Sequence, residues 1–182
     1  MTKTRSKNAN AIELLKEDHA KVKKAIKEFE KMDRSDTETC RQLVTTVCED
    51  LKTHTMLEEE IFYPAVRAAI EDEDIMNEAA VEHETARMLI EQLENMQEDD
   101  PNYHATFKVL GEYVRHHIRE EESEMFPAAR KTDIDFAALG ARLRERREEL
   151  MGETGKGAGA APASKTRAPQ PGGRDPELTP RR

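Results

Sequence analysis

The stretch HTMLEEEIFYP, His54 to Pro64, returns 63 residues later as HIREEESEMFP, His117 to Pro127. Each copy sets His at its first position, Glu at its fifth and Pro at its eleventh. Residues four apart share one face of a helix, so each copy holds an imidazole one turn from a carboxylate. A single HxxxE on a helix is explained well enough by an ion pair. Two copies in register ask for another reason, and the chain around them supplies it.

Working outward, apolar residues step by three and four through four segments, the signature of amphipathic helices. Ile12, Leu15, His19, Val22, Ile26 and Phe29 draw the first stripe, and Leu43, Val47, Leu51, His54, Glu58, Ile61 and Ala65 the second. Met76, Ala80, His83, Ala86, Ile90 and Leu93 draw the third. Phe107, Leu110, Val114, His117, Glu121, Met125 and Ala128 draw the fourth. Ser35 with Glu38 predicts a capping box for the second helix, and Asp100 with Pro101 an N-cap and first-turn proline for the fourth. Asp133 predicts the start of a shorter fifth helix ending near Met151. Pro64 and Pro127 fall inside helical patterns and are expected to kink or end their helices shortly after the glutamates.

The two halves correspond. His19, His54, Glu58 and Pro64 in the first match His83, His117, Glu121 and Pro127 in the second. Short connections between such helices predict an all-α, antiparallel up-down-up-down four-helix bundle, a duplicated helical hairpin. The folded domain is expected over 9–151. Residues 152–182 hold six of the eight Gly and five of the eight Pro, with six basic and three acidic side chains. That Gly/Pro-rich basic tail is predicted to be disordered, because it has too little apolar surface to offset chain entropy.

Composition narrows the function. Charged residues make up 37% and aromatics 4%, a helical-bundle profile. A net charge of −9 argues against nucleic acid as a partner. Cys40 and Cys48 lie eight apart in one helix, about 12 Å of rise, too far for a disulfide. They read as reduced thiols. No run has the length of a membrane span and the first ten residues contain no apolar leader core, so a soluble, cytoplasmic protein is expected.

Four histidines therefore stand where leucines are expected, one per helix, with two glutamates at matched positions. Burying them uncompensated would be costly. Divalent cations between the helices would compensate them, and six donors with two carboxylates able to bridge suit two ions. Imidazole with carboxylate favours iron ahead of manganese or zinc; calcium and all-nitrogen copper sites fit poorly.

On these residues, His19, His54, Glu58, His83, His117 and Glu121, with the downstream IFYP and MFP, the sequence resembles the hemerythrin-like family of HHE cation-binding proteins. The resemblance runs from residue 12 to about 130 and implies a bundle around a non-haem di-iron centre. By that analogy His19 and His54 hold one iron and His83 and His117 the other. Glu58 and Glu121 bridge them, beside an oxo or hydroxo group. The implied partners are a small diatomic ligand, O2 or NO, or peroxide, in a binding or sensing module. The alternatives are a peroxide-disproportionating, catalase-like enzyme and an iron storage or iron-centre repair protein.

The chain departs from oxygen-carrying members in one respect. Their fifth histidine lies a turn from the third-helix ligand, where this sequence has Arg87 or Ala79. They also usually bridge with an Asp one residue further from its His, where Glu122 stands. Without a fifth histidine, a ligand that bridges both metals suits the site better than end-on oxygen storage. Asp50 and Tyr113, each four residues before a ligand histidine, are expected to orient imidazoles from behind or to complete the metal shell. His104 and His116 are read as exposed. Glu59, Glu60, Glu120, Glu122 and Glu124 are read as a solvated acidic face, and Met56, Met88, Met96 and Met125 as packing residues.

Overall fold

A computed structural model of the chain describes residues 9–33, 35–97 and 100–157, with side chains as far as 152. Within these residues α1 spans Ala11–Phe29, α2 Thr37–Leu57, α3 Tyr63–Arg67, α4 Glu73–Asn95, α5 Tyr103–Glu120, α6 Phe126–Ala129 and α7 Phe136–Gly157. A π-helical turn, Glu58–Phe62, joins α2 to α3, and a second, Glu121–Met125, joins α5 to α6. The two joined rods, with α1 and α4, make the four-helix bundle that the stripes predict. Short turns return each helix against its predecessor, α1 on α2 and α4 on α5, while α1 also touches α5 and α2 touches α4.

Local chemistry sets the helix starts, and three differ from expectation. The cap of α2 is Asp36, whose side chain accepts from the Thr39 N–H at 3.3 Å, because Asp33 already engages the Ser35 N–H at 2.9 Å. The Ser35–Glu38 box therefore does not form. Asp100 accepts from the Asn102 N–H at 2.7 Å and the Tyr103 N–H bonds its carbonyl, making a turn that delays α5 to Tyr103. Asp135, not Asp133, caps α7, accepting from Ala137 and Ala138 at 3.0 Å each. Asn10 and Glu13 form a complete capping box on α1 that the stripe reading passed over.

The prolines neither end nor break their rods. Pro64 has no N–H to give the Glu60 carbonyl, and its ring would crowd that carbonyl in an α-helix. The chain instead widens by one residue: the Tyr63 N–H bonds the Glu58 carbonyl and the Phe126 N–H bonds the Glu121 carbonyl, both five residues back. The buried register moves with it. Val66 and Ala129 are buried where the α-helical stripe predicted Ala65 and Ala128, and Phe62 and Phe126 are buried beside Ile61 and Met125. In the third stripe Ala79 is buried and Ala80 exposed.

Two apolar clusters fill the bundle. One gathers Leu15, Leu57, Phe62, Val66, Met76, Phe126 and Ala129 around the π turns, and the other gathers Val22, Ile26, Val47, Leu51, Ile90, Phe107, Leu110 and Val114. The polar site lies between them. Met125 is buried and Met96 half-buried, whereas Met56 and Met88 are exposed.

The fifth helix is longer than expected. It runs 22 residues to Gly157, past Met151 and into the segment assigned to the tail. Leu139, Leu143 and Leu150 bury against α1, α2 and the first π turn. A Cβ on Gly140 would lie 2.8 Å from the Ala11 nitrogen, so glycine permits the close approach of α7 to α1. Residues 158–182, the remainder of the predicted tail, lie outside the described residues.

Candidate metal centre

His19 comes from α1, His54 from α2, Glu58 from the first π turn, His83 from α4, His117 from α5 and Glu121 from the second π turn. All six are buried, with Glu58 and Glu121 at 0% and 1% exposure, a burial that charged carboxylates tolerate only with strong compensation. The imidazoles turn their Nε2 atoms inward. Those of His19 and His54 are 3.2 Å apart, and those of His83 and His117 3.1 Å.

Glu58 spans the two pairs, with Oε1 at 3.1 Å from His54 Nε2 and Oε2 at 3.3 Å from His83 Nε2. Glu121 presents one oxygen to both, Oε2 lying 3.1 Å from His19 Nε2 and 3.5 Å from His117 Nε2. His19, His54, Glu58 and Glu121 each offer a donor atom within 4.8 Å of the others, and Glu58, His83 and His117 do the same. Yet neither oxygen of Glu58 has a hydrogen-bond partner, nor has Glu121 Oε2. Buried acceptors left unpaired cost free energy, and cations among these donors would compensate them. The donor set fits a metal.

The imidazoles and carboxylates shift one another's protonation. Burial pulls His54 down, but Glu58, Asp18 and Glu121 outweigh it and raise its pKa to about 10. Burial likewise opposes His117, which Glu121, Glu82 and Glu58 raise to about 9. Burial pushes Glu58 up, yet the His54 and His83 imidazoles, 3.1 and 3.3 Å away, hold it well below the usual carboxylate range.

The outer face of the imidazoles corrects the reading of the acidic residues. Glu122 Oε1 lies 3.0 Å from His19 Nδ1, Glu59 Oε1 2.8 Å from His83 Nδ1, and Glu82 Oε2 2.8 Å from His117 Nδ1. Asp18 Oδ2 stands 3.6 Å from His54 Nδ1. Glu59 and Glu122 are thus not a solvated face but orient histidines, and a carboxylate behind an imidazole fixes its tautomer and raises its basicity as a ligand. They cross between halves: Glu59, of the first, serves His83, and Glu122, of the second, serves His19. Arg87, standing where a fifth histidine would lie, is not a ligand but holds Glu59 at 2.7 Å. Ala79, the other such place, is buried among apolar residues.

The two expected outer residues do not serve. Asp50 pairs with Lys21 at 2.6 Å on the surface. Tyr113 is 46% exposed and lines a cavity beside His117 without a hydrogen bond to it. Tyr63 acts in their place. Its hydroxyl donates to Glu121 Oε1 at 3.0 Å and lies 3.1 Å from His83 Nε2. Burial and the charges of Glu121 and Glu58 push its pKa well above the ordinary value, so the proton stays on the phenol. Five residues along an α-helix is about 140° off-face, and the five-residue π turn is what brings Tyr63 round to the side of Glu58. The matched residue of the second half is Phe126, stacked on His19 at 5.7 Å between centroids.

His116 is exposed as expected and pairs with Glu120 at 3.0 Å, while His104 is half-buried with its ring 5.1 Å from Phe29. Glu60 pairs with Arg146 of α7 at 2.7 Å. Beside the four imidazoles, Val22, Leu51, Ala86, Val114 and Ile118 wall a cavity of about 20 Å³, with Asp18 and Glu82 at its edge and neither Glu58 nor Glu121 in its lining, room for a single water-sized molecule.

A helical bundle with a buried histidine-glutamate cluster of this kind defines a cation-binding protein. The chain belongs to the hemerythrin HHE cation-binding domain family, which it matches over residues 10–129. Its fold is similar to the crystal structure of a hemerythrin HHE cation-binding domain-containing protein, the Rv2633c homolog from Mycobacterium kansasii. That likeness has a TM-score of 0.69 and 25% identity, covering 81% of this chain and 91% of that one. It is also 28% identical over 121 residues to a protein of Nostoc sp. (strain PCC 7120) named as a DNA nickase. The match takes in 66% of this chain but only 34% of that relative, so the chain spans about a third of its length. Among the described residues no helix is long and apolar enough to cross a membrane.

Proposed function

We propose that this is a non-haem di-iron protein whose carboxylate-bridged pair binds or reacts with O2, NO or peroxide. In this reading His19 and His54 would hold one iron, His83 and His117 the other, and Glu58 and Glu121 would serve both. The observation that carries it is the convergence of four Nε2 atoms with Glu58 spread across both pairs, beside a cavity sized for one small molecule. Imidazole with carboxylate suits iron. When bound, the pair supplies the electrons that such ligands exchange.

The protein's own residues do the rest. Glu59, Glu82, Glu122 and Asp18 set the imidazoles, and the apolar wall of Val22, Leu51, Ala86, Val114 and Ile118 admits small, weakly hydrated ligands while excluding larger polar ones. Partners are small molecules rather than nucleic acid, in keeping with the net charge of −9. Buried thiols at Cys40 and Cys48 accord with a reducing cytoplasm.

Tyr63 favours a second reading, disproportionation of peroxide to water and oxygen. Its hydroxyl keeps a proton inside the site at Glu121, where a reaction that cleaves the O–O bond of peroxide and forms water could use it.

Metal analysis followed by optical spectroscopy tests both. The purified protein is expected to hold about two irons per chain; zinc in their place, or roughly half an iron equivalent or less, would sink the di-iron reading. A stable, reversible adduct of the reduced protein with oxygen supports binding. Rapid oxygen evolution from peroxide supports turnover.

A further inference from the structure

The family match ends at residue 129, but the site does not. Arg147, on α7, is 8% exposed and aims its guanidinium at Asp18 with both terminal nitrogens: Nη1 donates to Oδ1 at 3.0 Å and Nη2 to Oδ2. The same Oδ2 faces His54 Nδ1 at 3.6 Å, and that nitrogen is buried with no hydrogen bond of its own.

We infer that Arg147 is a positioning residue for the metal centre, acting through Asp18 on His54 and so on one metal of the pair. The two-point grip of a guanidinium on a carboxylate fixes the plane as well as the place of the acid. Aspartate is one methylene shorter than the glutamates behind the other three imidazoles, and it needs such a grip to hold its line on His54. Between the matched residues Asp18 and Glu82 the grip is one-sided. Glu82, the counterpart of Asp18 in the second half, faces the exposed His116 imidazole at 3.5 Å rather than a guanidinium. The helix beyond the matched domain thus makes the His19–His54 side of the site unlike the His83–His117 side.

The inference rests on the metal reading above, and the experiment separates the two. Full-length wild type, Arg147→Met, Asp18→Asn, the double variant and Leu139→Ala are loaded with ferrous iron without oxygen. Iron release to a colorimetric chelator is then followed, with helix content and melting temperature measured alongside. Leu139→Ala weakens the docking of α7 without touching Asp18. Expected in Arg147→Met is one iron leaving about 10- to 100-fold faster, the usual cost of losing an outer support of a ligand, while the other leaves at the wild-type rate. The double variant should release iron no faster than Asp18→Asn, since both changes act on one link. Should a single variant not fold, the double variant, which strands no buried charge, is compared with wild type for the same one-iron acceleration. Wild-type release from the variants, additive effects in the double variant, or equal acceleration in Leu139→Ala would overturn the role given to Arg147. A wild-type chain that takes up no iron would overturn the metal reading itself.

Discussion

The Tyr63 hydroxyl donates to Glu121 Oε1 at 3.0 Å across the two halves of the bundle, from residues 58 apart in the chain. Glu121 therefore turns one oxygen to the histidines and the other to a phenol, whereas Glu58 gives both oxygens to histidines. Tyr63→Phe keeps the ring and removes the donor. Chemical denaturation of the metal-free protein is expected to show a loss of about 1.5–3 kcal/mol, the range for a hydrogen bond to a charged group. The loaded protein should keep its metal but change its optical spectrum. An unchanged denaturation midpoint would argue that the phenol is idle.

The six donors differ from their neighbours in kind. Glu58→Ala and Glu121→Ala should abolish metal uptake, while His104→Ala and His116→Ala should leave it intact, as metal analysis after equal loading would show. If His116→Ala emptied the site as His117→Ala does, the assignment of inward-facing histidines would be wrong.

Adjacent glutamates should behave differently for a geometric reason. Glu59 stands 2.8 Å behind His83, so Glu59→Ala is expected to weaken metal binding by about 10- to 100-fold in a competition titration. Glu60 points to Arg146 at the surface, and Glu60→Ala should cost no more than about 1 kcal/mol of stability with no change in metal affinity. Equal effects from the two would remove the case for Glu59 as an orienting group.

In the metal-free chain His54 and His117 have folded pKa values of about 10 and about 9, both above the unfolded value. Their contribution to stability is fully present below about pH 6.5 and fades as pH rises through 9 to 10. Metal ligation needs neutral imidazole, so the sign for binding is reversed. Affinity should rise with pH over the same window, and loading at neutral pH should release about two protons. Calorimetry in buffers of different ionisation heat measures that release; none would mean the two imidazoles are already neutral.

Two glycines test the packing of the bundle. A methyl on Gly140 meets the Ala11 backbone at 2.8 Å, which cannot yield, while a methyl on Gly111 meets the Cγ2 branch methyl of Ile26 at 2.8 Å, a single side chain that can shift where a backbone cannot. Gly140→Ala should lower stability by about 1–3 kcal/mol and Gly111→Ala by clearly less, read from paired melting curves.

The stripes and the duplicated HxxxE were enough to name the bundle and bring the six buried donors together, because burial at period 3.6 and same-face spacing are local properties of a helix. What the stripes lost was the π turn. A proline signals a missing N–H, but not whether the helix ends or widens, and the one-residue shift put Val66 and Tyr63 where an α-helical count does not look. The carboxylates behind the imidazoles were hidden because they contact other helices. Their trace lay in the repeat, where Asp18 and Glu82 precede matched histidines and Glu59 and Glu122 follow matched glutamates. Asp50 and Tyr113 failed because a residue four before an inward-facing histidine shares its face only as far as the bundle surface allows.

The exchange of Glu59 and Glu122 between halves has a further meaning. Neither hairpin carries a complete half of the centre, since each leaves a histidine whose supporting carboxylate belongs to the other. Two copies of a single hairpin, paired about a twofold axis, would satisfy each other by the same exchange. The chain is built as such a dimer would be, with its subunits fused. Fusion frees what symmetry forbids: Tyr63 on one side against Phe126 on the other, and a single fifth helix to press on one subunit's histidine alone.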